Sequence, residues 1–181
     1  MRGKYNGSIR SESTRRRCNM KVLVDGDGCP VVSLATDIAK DYGIDVMIFC
    51  DTAHYIEQAD AKVITVSKGS DAVDFRLVNE VRAGDILVTQ DYGLAAMGLA
   101  RGAKPINQNG LLYTQENIDQ LLFTRHLGKE VRRKGGRTKG PRKRTKAQDE
   151  AFVRAFRSLI ETLLKNANIR DGKGGVHEKY N

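Results

Sequence analysis

From Lys21 onward, short apolar runs rich in β-branched residues alternate with stretches that repeat apolar positions every three or four residues. The short runs predict strands, and the longer stretches predict amphipathic helices. Predicted strands cover residues 21–25, 44–50, 62–67, 85–90 and 104–107, and predicted helices cover residues 31–43, 71–84, 92–103, about 115–129 and 147–166. Strands that alternate with helices of this length favour right-handed crossovers between parallel strands. We therefore predict an α/β fold with three layers, in which helices flank a central, mainly parallel sheet.

The last predicted helix follows a segment with little apolar surface. Residues 131–146 mix Gly, Pro and basic residues, which predicts a mobile loop. Thr145 and Gln148 form a capping-box sequence at the start of the helix. The apolar stripe of this helix must be buried, and docking on the same chain is favoured over dimerisation. The chain is predicted to divide into a disordered or upstream extension at 1–19, an acidic α/β domain at 20–124, a basic arm at 125–146, a C-terminal helix at 147–166 and a disordered tail at 167–181.

Charge is distributed unevenly between these parts. Residues 20–124 hold eight Lys and Arg against fifteen Asp and Glu, whereas residues 125–146 hold eleven against one. An acidic body suits a metal site and a basic arm suits a polyanion, so this division favours a metal enzyme that acts on nucleic acid. A solubilising linker is the alternative interpretation of the arm. The residues predicted to contact nucleic acid are Arg132, Arg133, Lys134, Arg137, Lys139, Arg142, Lys143 and Arg144.

Composition also disfavours several other classes of protein. No window approaches the run of about 20 apolar residues that spans a bilayer, so no membrane partner is expected. Residues 1–19 lack the apolar core of a secretory signal. The three cysteines, Cys18, Cys29 and Cys50, have no CxxC spacing and leave one unpaired, which disfavours a disulfide framework and indicates the cytoplasm. Cys29 is interpreted as a small buried residue rather than as a nucleophile.

Aspartates stand at the ends of several predicted strands. Asp25 and Asp27 follow the first strand and Asp91 follows the fourth, while Asp71 and Asp74 begin the helix after the third. The carboxyl ends of parallel strands lie at one rim of a sheet, where open α/β folds bind ligands. Carboxylates brought together there repel one another unless a cation lies between them. The pattern therefore predicts a site for Mg²⁺ or Mn²⁺, which prefer oxygen ligands.

The expected chemistry at such a site is hydrolysis of a phosphodiester. One or two divalent ions generate a nucleophilic hydroxide and stabilise the attacking and leaving oxygens. We predict that Asp25, Asp74 and Asp91 are metal ligands. Asp27 and Asp71 are predicted as further ligands or a general base.

Three neighbouring residues have less certain assignments from the sequence. Thr89 is predicted to position a water molecule or a phosphate. Asp71, which follows Ser70, is equally well explained as an acid that complements the N-terminus of its helix. Asp51 ranks below the other acids, and we interpret it as a turn residue.

Three motifs in this order resemble those of the uncharacterised bacterial YaiI/YqxD family. They are VDGDGCPV at residues 24–31, GSDAVDFRLVNEVRAGDILVTQDYGLAAMGLARGA at 69–103 and GLLYTQENIDQLL at 110–122. A Gly- and Arg-rich stretch follows the third motif, and the resemblance covers about residues 20–163. That family is similar in outline to PIN-like nuclease domains. The resemblance therefore implies a three-layer PIN-like fold and a metal-dependent ribonuclease activity.

The PIN-like pattern also implies positions for the acids. Such domains carry one acid after the first strand, one on a middle helix and one or two after the fourth strand, and Asp25, Asp74 and Asp91 stand at the matching places. A second acid commonly follows the fourth-strand aspartate, but residues 92–94 are Tyr-Gly-Leu here. Either Asp27 or Asp71 substitutes for it, or the metal binds more weakly.

Two other functions are consistent with the sequence. DGDG at residues 25–28 is similar to the DxDx[TV] motif of haloacid dehalogenase-type phosphatases, which would make Asp25 a nucleophile, but Cys29 stands where Thr or Val is expected. A non-catalytic RNA-binding module is the other alternative, in which the basic arm follows a phosphate backbone with little sequence preference. A metal-dependent nuclease that acts on RNA is the preferred prediction.

Overall fold

The computed structural model describes residues 20–53, 56–67, 72–133 and 143–172. Within these residues, five parallel strands form one sheet: β1 (Lys21–Asp25), β2 (Asp45–Asp51), β3 (Lys62–Val66), β4 (Ile86–Val88) and β5 (Lys104–Ile106). The strand order is β3-β2-β1-β4-β5, so β1 is central and the order of strands reverses between β1 and β4. Open α/β sheets bind ligands beyond the carboxyl ends of the strands at such a reversal.

Five helices in the described residues cover both faces of this sheet. They are α1 (Val32–Asp41), α2 (Ala72–Glu80), α3 (Tyr92–Ala100), α4 (Gln115–Arg133) and α5 (Lys146–Gly172). Helices α1 and α5 pack on one face, helices α2 and α3 pack on the other, and α4 packs against α3. The predicted three-layer α/β fold with a parallel sheet is therefore confirmed.

The central strands are buried on both faces because their side chains alternate between two cores. In β1, Val22 and Val24 join the core beneath α1 and α5, whereas Leu23 joins the core beneath α2 and α3. This is why the strand reads as an unbroken apolar run rather than as an alternating one. Neighbouring strands are in register, and Val24 lies beside Ile48 of β2 and Val88 of β4. The carboxyl ends of β1, β2 and β4 consequently meet at one rim.

The C-terminal helix docks on its own chain, as its apolar stripe predicts. Phe152 and Phe156 are fully buried against the sheet, and their rings stack with centroids 5.2 Å apart. The predicted capping box is present, because Gln148 Oε1 accepts from the Thr145 backbone N–H at 2.9 Å and Thr145 Oγ1 accepts from the Gln148 N–H at 3.4 Å. The helix thereby begins at Lys146 with two of its terminal N–H groups satisfied.

Two helices extend beyond their predicted ends. Helix α4 continues past Lys129 to Arg133, whose guanidinium pairs with Glu130 one turn earlier at 2.8 Å. Helix α5 continues past residue 166 to Gly172 because no proline or glycine interrupts it before that point. Within the described part of the chain, no helix is long and apolar enough to cross a membrane.

Candidate active site

The DGDG loop, residues 25–28, passes directly from the end of β1 onto the end of β2. Gly26 N donates to Phe49 O at 2.8 Å, and a Cβ on Gly26 would lie 2.8 Å from Ile56 Cδ1 and 3.0 Å from the same carbonyl. Only glycine permits so close an approach. Asp27 then accepts the Asp51 backbone N–H on Oδ1 at 3.1 Å, which ties the loop to the neighbouring strand.

Thr89 joins two of the predicted acids. Its hydroxyl donates to Asp25 Oδ2 at 2.8 Å and accepts from the Asp91 backbone N–H at 3.0 Å. Thr89 is only 1% exposed, and its carbonyl accepts from the Tyr113 hydroxyl at 3.4 Å. The hydroxyl of Thr89 therefore orients the Asp25 carboxylate, and its predicted role in positioning a water or a phosphate stays a prediction.

Asp25 is the most perturbed acid at this rim. Its pKa is raised from 3.8 to about 6, first by burial and then by the charges of Asp74, Asp27 and Asp91, against the lowering effect of the Thr89 hydrogen bond. Four predicted acids from three stretches of the chain thus lie near one another, and the charges of three of them act on Asp25. Because the charges that act most strongly on Asp25 all come from acids, a bound cation would stabilise the ionised form of this carboxylate more than that of the others.

Asp91 has a different environment, although it stands at the same rim. It is the N-cap of α3, where its Oδ1 accepts the backbone N–H groups of Gly93 at 2.7 Å and Leu94 at 3.1 Å. Its Oδ2 pairs with Arg125 Nη1 of α4 at 2.6 Å. Burial acts to raise the pKa of Asp91, but the guanidinium and the two backbone N–H groups hold it below its usual value. Asp91 therefore stays ionised.

An open cleft of about 370 Å³ lies beside Asp91 and is bordered by α2, α3 and α4. Its lining residues are Asp74, Asp91, Gly93, Leu94, Met97, Leu122, Arg125 and His126. The guanidinium of Arg125 also lies 5.8 Å from the ring centroid of Tyr92, within the range of a cation–π contact. Arg125 and His126 were not predicted from the sequence. The available signal was a basic residue three positions after Leu122 and seven after Ile118, on the side of α4 that packs against α3.

The remaining predicted site residues lie elsewhere or outside the described residues. Asp71 and four residues of the basic arm, Lys134, Arg137, Lys139 and Arg142, lie outside them, as does the side chain of Arg132. Arg133 and Lys143 are exposed. Arg144 is engaged within the fold, because it pairs with Asp149 at 2.5 Å and donates to Gln108 O at 2.7 Å. Asp51 Oδ1 accepts the Ala53 N–H at 2.8 Å, which confirms its interpretation as a turn residue.

The rim offers carboxylate oxygens, which are the ligands that divalent ions such as Mg²⁺ prefer. Among the described residues, no three or more His, Cys, Asp or Glu side chains are grouped closely enough to hold one. Mg²⁺, however, is usually held by only one or two carboxylates and keeps several waters. The chemistry of this rim, with four acidic side chains and a partly buried Asp25 among them, fits that kind of site. Cys29 beside it is a weak nucleophile, because burial and then the Asp25 charge raise the pKa of its thiol to about 11.

The fold and this rim define a three-layer α/β domain whose acids gather at the switch point of a parallel sheet. The model of the uncharacterised YaiI/YqxD family matches residues 23–162, and the chain belongs to that family. A UPF0178 protein of Exiguobacterium sibiricum is 54% identical over 141 residues, which cover 78% of this chain and 96% of the relative. A UPF0178 protein of Ruminiclostridium cellulolyticum is 55% identical over 142 residues, covering 78% and 93%. No solved structure matches the chain, so the likeness to PIN-like domains stays a prediction.

Proposed function

We propose that this protein is a divalent-metal-dependent nuclease that hydrolyses phosphodiesters, with RNA as its expected substrate. The observation that carries the proposal is the state of Asp25, whose partly buried carboxyl is acted on by the charges of Asp74, Asp27 and Asp91. Such a concentration of negative charge at a ligand-binding rim is costly for folding and is relieved when a cation binds. The free thiols of Cys29 and Cys50 suit the reducing cytoplasm, where we place the activity.

The proposed roles follow from the position of each acid. Asp25, Asp74 and Asp91 are the proposed ligands of Mg²⁺ or Mn²⁺, one or two of them directly and the rest through water, and Asp27 and Asp71 would supply further oxygens or a general base. Bound there, the ion would activate water and stabilise charge on the phosphate oxygens. Thr89 keeps Asp25 in one orientation through the hydrogen bond to Oδ2. Oδ2 of Asp91 has a second lone pair besides the one that Arg125 uses, so it stays competent as a ligand.

The charge distribution supports nucleic acid as the substrate class. Eleven Lys and Arg stand in residues 125–146, against one acid, and this segment begins with Arg125, which lines the cleft. A polyanion would be attracted to that segment and brought towards a rim that is otherwise acidic. The attraction makes binding steeply dependent on salt, which a small neutral substrate would not show.

The test is cleavage of 5′-labelled single-stranded RNA and DNA oligonucleotides by the full chain with Mn²⁺, Mg²⁺ or EDTA. We expect wild-type cleavage with either ion, and a loss of at least about a hundredfold in Asp25→Asn and Asp91→Asn. Asn is itself a good N-cap, so the second variant keeps α3 capped while removing the charge. Asp60→Asn is the matched control, because Asp60 is an exposed acid that pairs with Lys40 away from the rim.

Two results would count against the proposal. One is cleavage by the Asp25 and Asp91 variants at the wild-type rate, which would place the activity elsewhere or in a contaminant. The other is the absence of any metal-dependent cleavage by the wild type.

Hydrolysis of a small phosphate monoester, with a phosphoryl analogue trapped on Asp25, would instead assign the rim to a phosphatase. Circular dichroism of each variant checks that the fold is kept.

A further inference from the structure

The chain contains the tripeptide Asp-Tyr-Gly twice, at residues 41–43 and 91–93, and each copy binds an arginine in the same way. Arg157 pairs with Asp41 at 2.7 Å and lies 5.9 Å from the Tyr42 ring centroid. Arg125 pairs with Asp91 at 2.6 Å, and its distance from the Tyr92 ring is 5.8 Å. The two arginine side chains are 41% and 38% exposed, respectively. The two arginines thus have similar distances to their partners and similar exposure.

Their surroundings differ. The Arg157 cluster joins the end of α1 to α5, on the side of the sheet opposite to α2 and α3. The Arg125 cluster lines the cleft that also contains Asp74 and His126. One arginine of a matched pair therefore stands at the proposed active site, and the other stands away from it.

Arg125 is also held in a fixed relation to the acids. Tyr92 packs edge-on against Tyr113 with ring centroids 5.9 Å apart, and the Tyr113 hydroxyl donates to the carbonyl of Thr89. Asp91, the partner of Arg125, receives its backbone hydrogen bond from the same Thr89 that donates to Asp25. These contacts orient the guanidinium relative to the buried carboxyl, as a site that must align a reacting group requires.

A guanidinium has five N–H donors. Within the described residues, the hydrogen bond from Arg125 to Asp91 uses Nη1 alone. The planar fork matches the oxygens of a phosphate, and stacking on an aromatic ring leaves its edge available. We propose that Arg125 binds a backbone phosphate of a single-stranded nucleic acid that enters the cleft, and positions that strand beside the acidic rim. This inference rests on the proposed function, because it names the residue that holds the substrate of the same site.

The experiment measures binding separately from cleavage. The affinity of the full-length wild type, Arg125→Gln, Arg125→Lys and Arg157→Gln for a fluorescein-labelled single-stranded RNA of twelve nucleotides is followed by fluorescence anisotropy, in EDTA, from 50 to 300 mM salt. We expect Arg125→Gln to weaken binding by about tenfold or more and to reduce the slope of log affinity against log salt by about 0.7, the value for one phosphate contact on a single strand. Arg125→Lys should restore the slope but only part of the affinity, because lysine keeps the charge without the fork.

Arg157→Gln controls for the structural contribution. It removes an ion pair and a cation–π contact of the same geometry, so thermal unfolding of the two glutamine variants should shift by similar small amounts. Arg157→Gln should leave RNA affinity within twofold of the wild type. Equal affinities and salt slopes for both glutamine variants would overturn the inference, since Arg125 would then act only as a structural contact. Absence of RNA binding by the wild type would overturn it as well.

Failure of this inference is distinguishable from failure of the proposed function. If the wild type cleaves RNA and Arg125→Gln binds and cleaves it equally well, the nuclease assignment stands and the role of Arg125 is refuted. If no metal-dependent cleavage occurs but Arg125→Gln alone loses affinity and salt slope, phosphate binding by Arg125 stands and the catalytic assignment fails.

Discussion

Replacing Asp25 with Asn should stabilise the protein at neutral pH while it abolishes the proposed activity. Asn keeps the size of the carboxyl and can still accept the hydrogen bond from Thr89, but it carries no charge. In the wild type, that charge is buried and repelled by three other acids. Removing it takes away an unfavourable interaction that the folded chain tolerates only at this rim.

The sign and the size follow from the raised pKa. The unfolded state binds a proton at Asp25 with a pKa of 3.8, whereas the folded state does so with a pKa of about 6. Protonation therefore favours the folded state: the stabilisation is fully present below about pH 4 and is lost as the pH rises through about 6. A shift of about two units corresponds to about 3 kcal/mol in the free energy of unfolding.

The assay is urea unfolding of the wild type and Asp25→Asn in EDTA at several pH values between 5 and 7.5. The variant should be more stable at every pH, by roughly 1.5 kcal/mol at pH 5 and about 3 kcal/mol at pH 7.5. Asp91 does not contribute to the change in stability between pH 5 and 7.5, because its pKa is lowered and it titrates below this range. A difference between the two proteins that stays constant from pH 5 to 7.5, or a variant less stable than the wild type at pH 7.5, would refute the reasoning.

Two further predictions concern the loop that carries Asp25. Gly26→Ala should lower the free energy of unfolding by about 1–3 kcal/mol, because the added Cβ would lie 2.8 Å from Ile56 Cδ1 and 2.9 Å from Ile48 Cγ2. An unchanged urea midpoint would contradict this close approach. Cys29, with its thiol pKa raised to about 11, should react with iodoacetamide at pH 7.5 at least about a hundredfold more slowly than glutathione does, as measured by peptide mass spectrometry. Alkylation at the glutathione rate would show that the thiol is accessible and ionised.

The sequence was sufficient to predict the elements that carry the acids. Apolar runs buried on both faces, such as Val22 to Val24, are typical of strands in a parallel sheet. Their alternation with helices favours the same kind of sheet. A parallel sheet in turn places the residue after each strand at one rim, which is why Asp25 and Asp91 were predicted together. This inference depends on chain direction alone and needs no knowledge of tertiary contacts.

The contacts between the acids could not be predicted in the same way. The hydrogen bond from Thr89 to Asp25 joins residues 64 positions apart, and the pair between Arg125 and Asp91 joins residues 34 positions apart. Both depend on the rotation of a helix or the direction of a side chain, which periodicity does not specify. The sequence therefore suggested that Thr89 positions a water or a phosphate but not that it is buried against Asp25, and Arg125 was included only in the net charge of the basic segment.

The environments of Asp25 and Asp91 suggest a division of roles that their sequence positions conceal. Both acids follow central strands, yet the pKa of Asp25 is raised to about 6 whereas that of Asp91 is lowered. Acids with opposed environments in one site are typical of groups with different tasks. Asp91 already has a cation in Arg125 and two backbone donors, so an added metal ion would stabilise it little. The charged residues that act most strongly on Asp25 are all acids. Asp25 would therefore supply most of the affinity for the ion. Loss of metal binding should therefore be more severe in Asp25→Asn than in Asp91→Asn, because Arg125 already compensates much of the charge of Asp91.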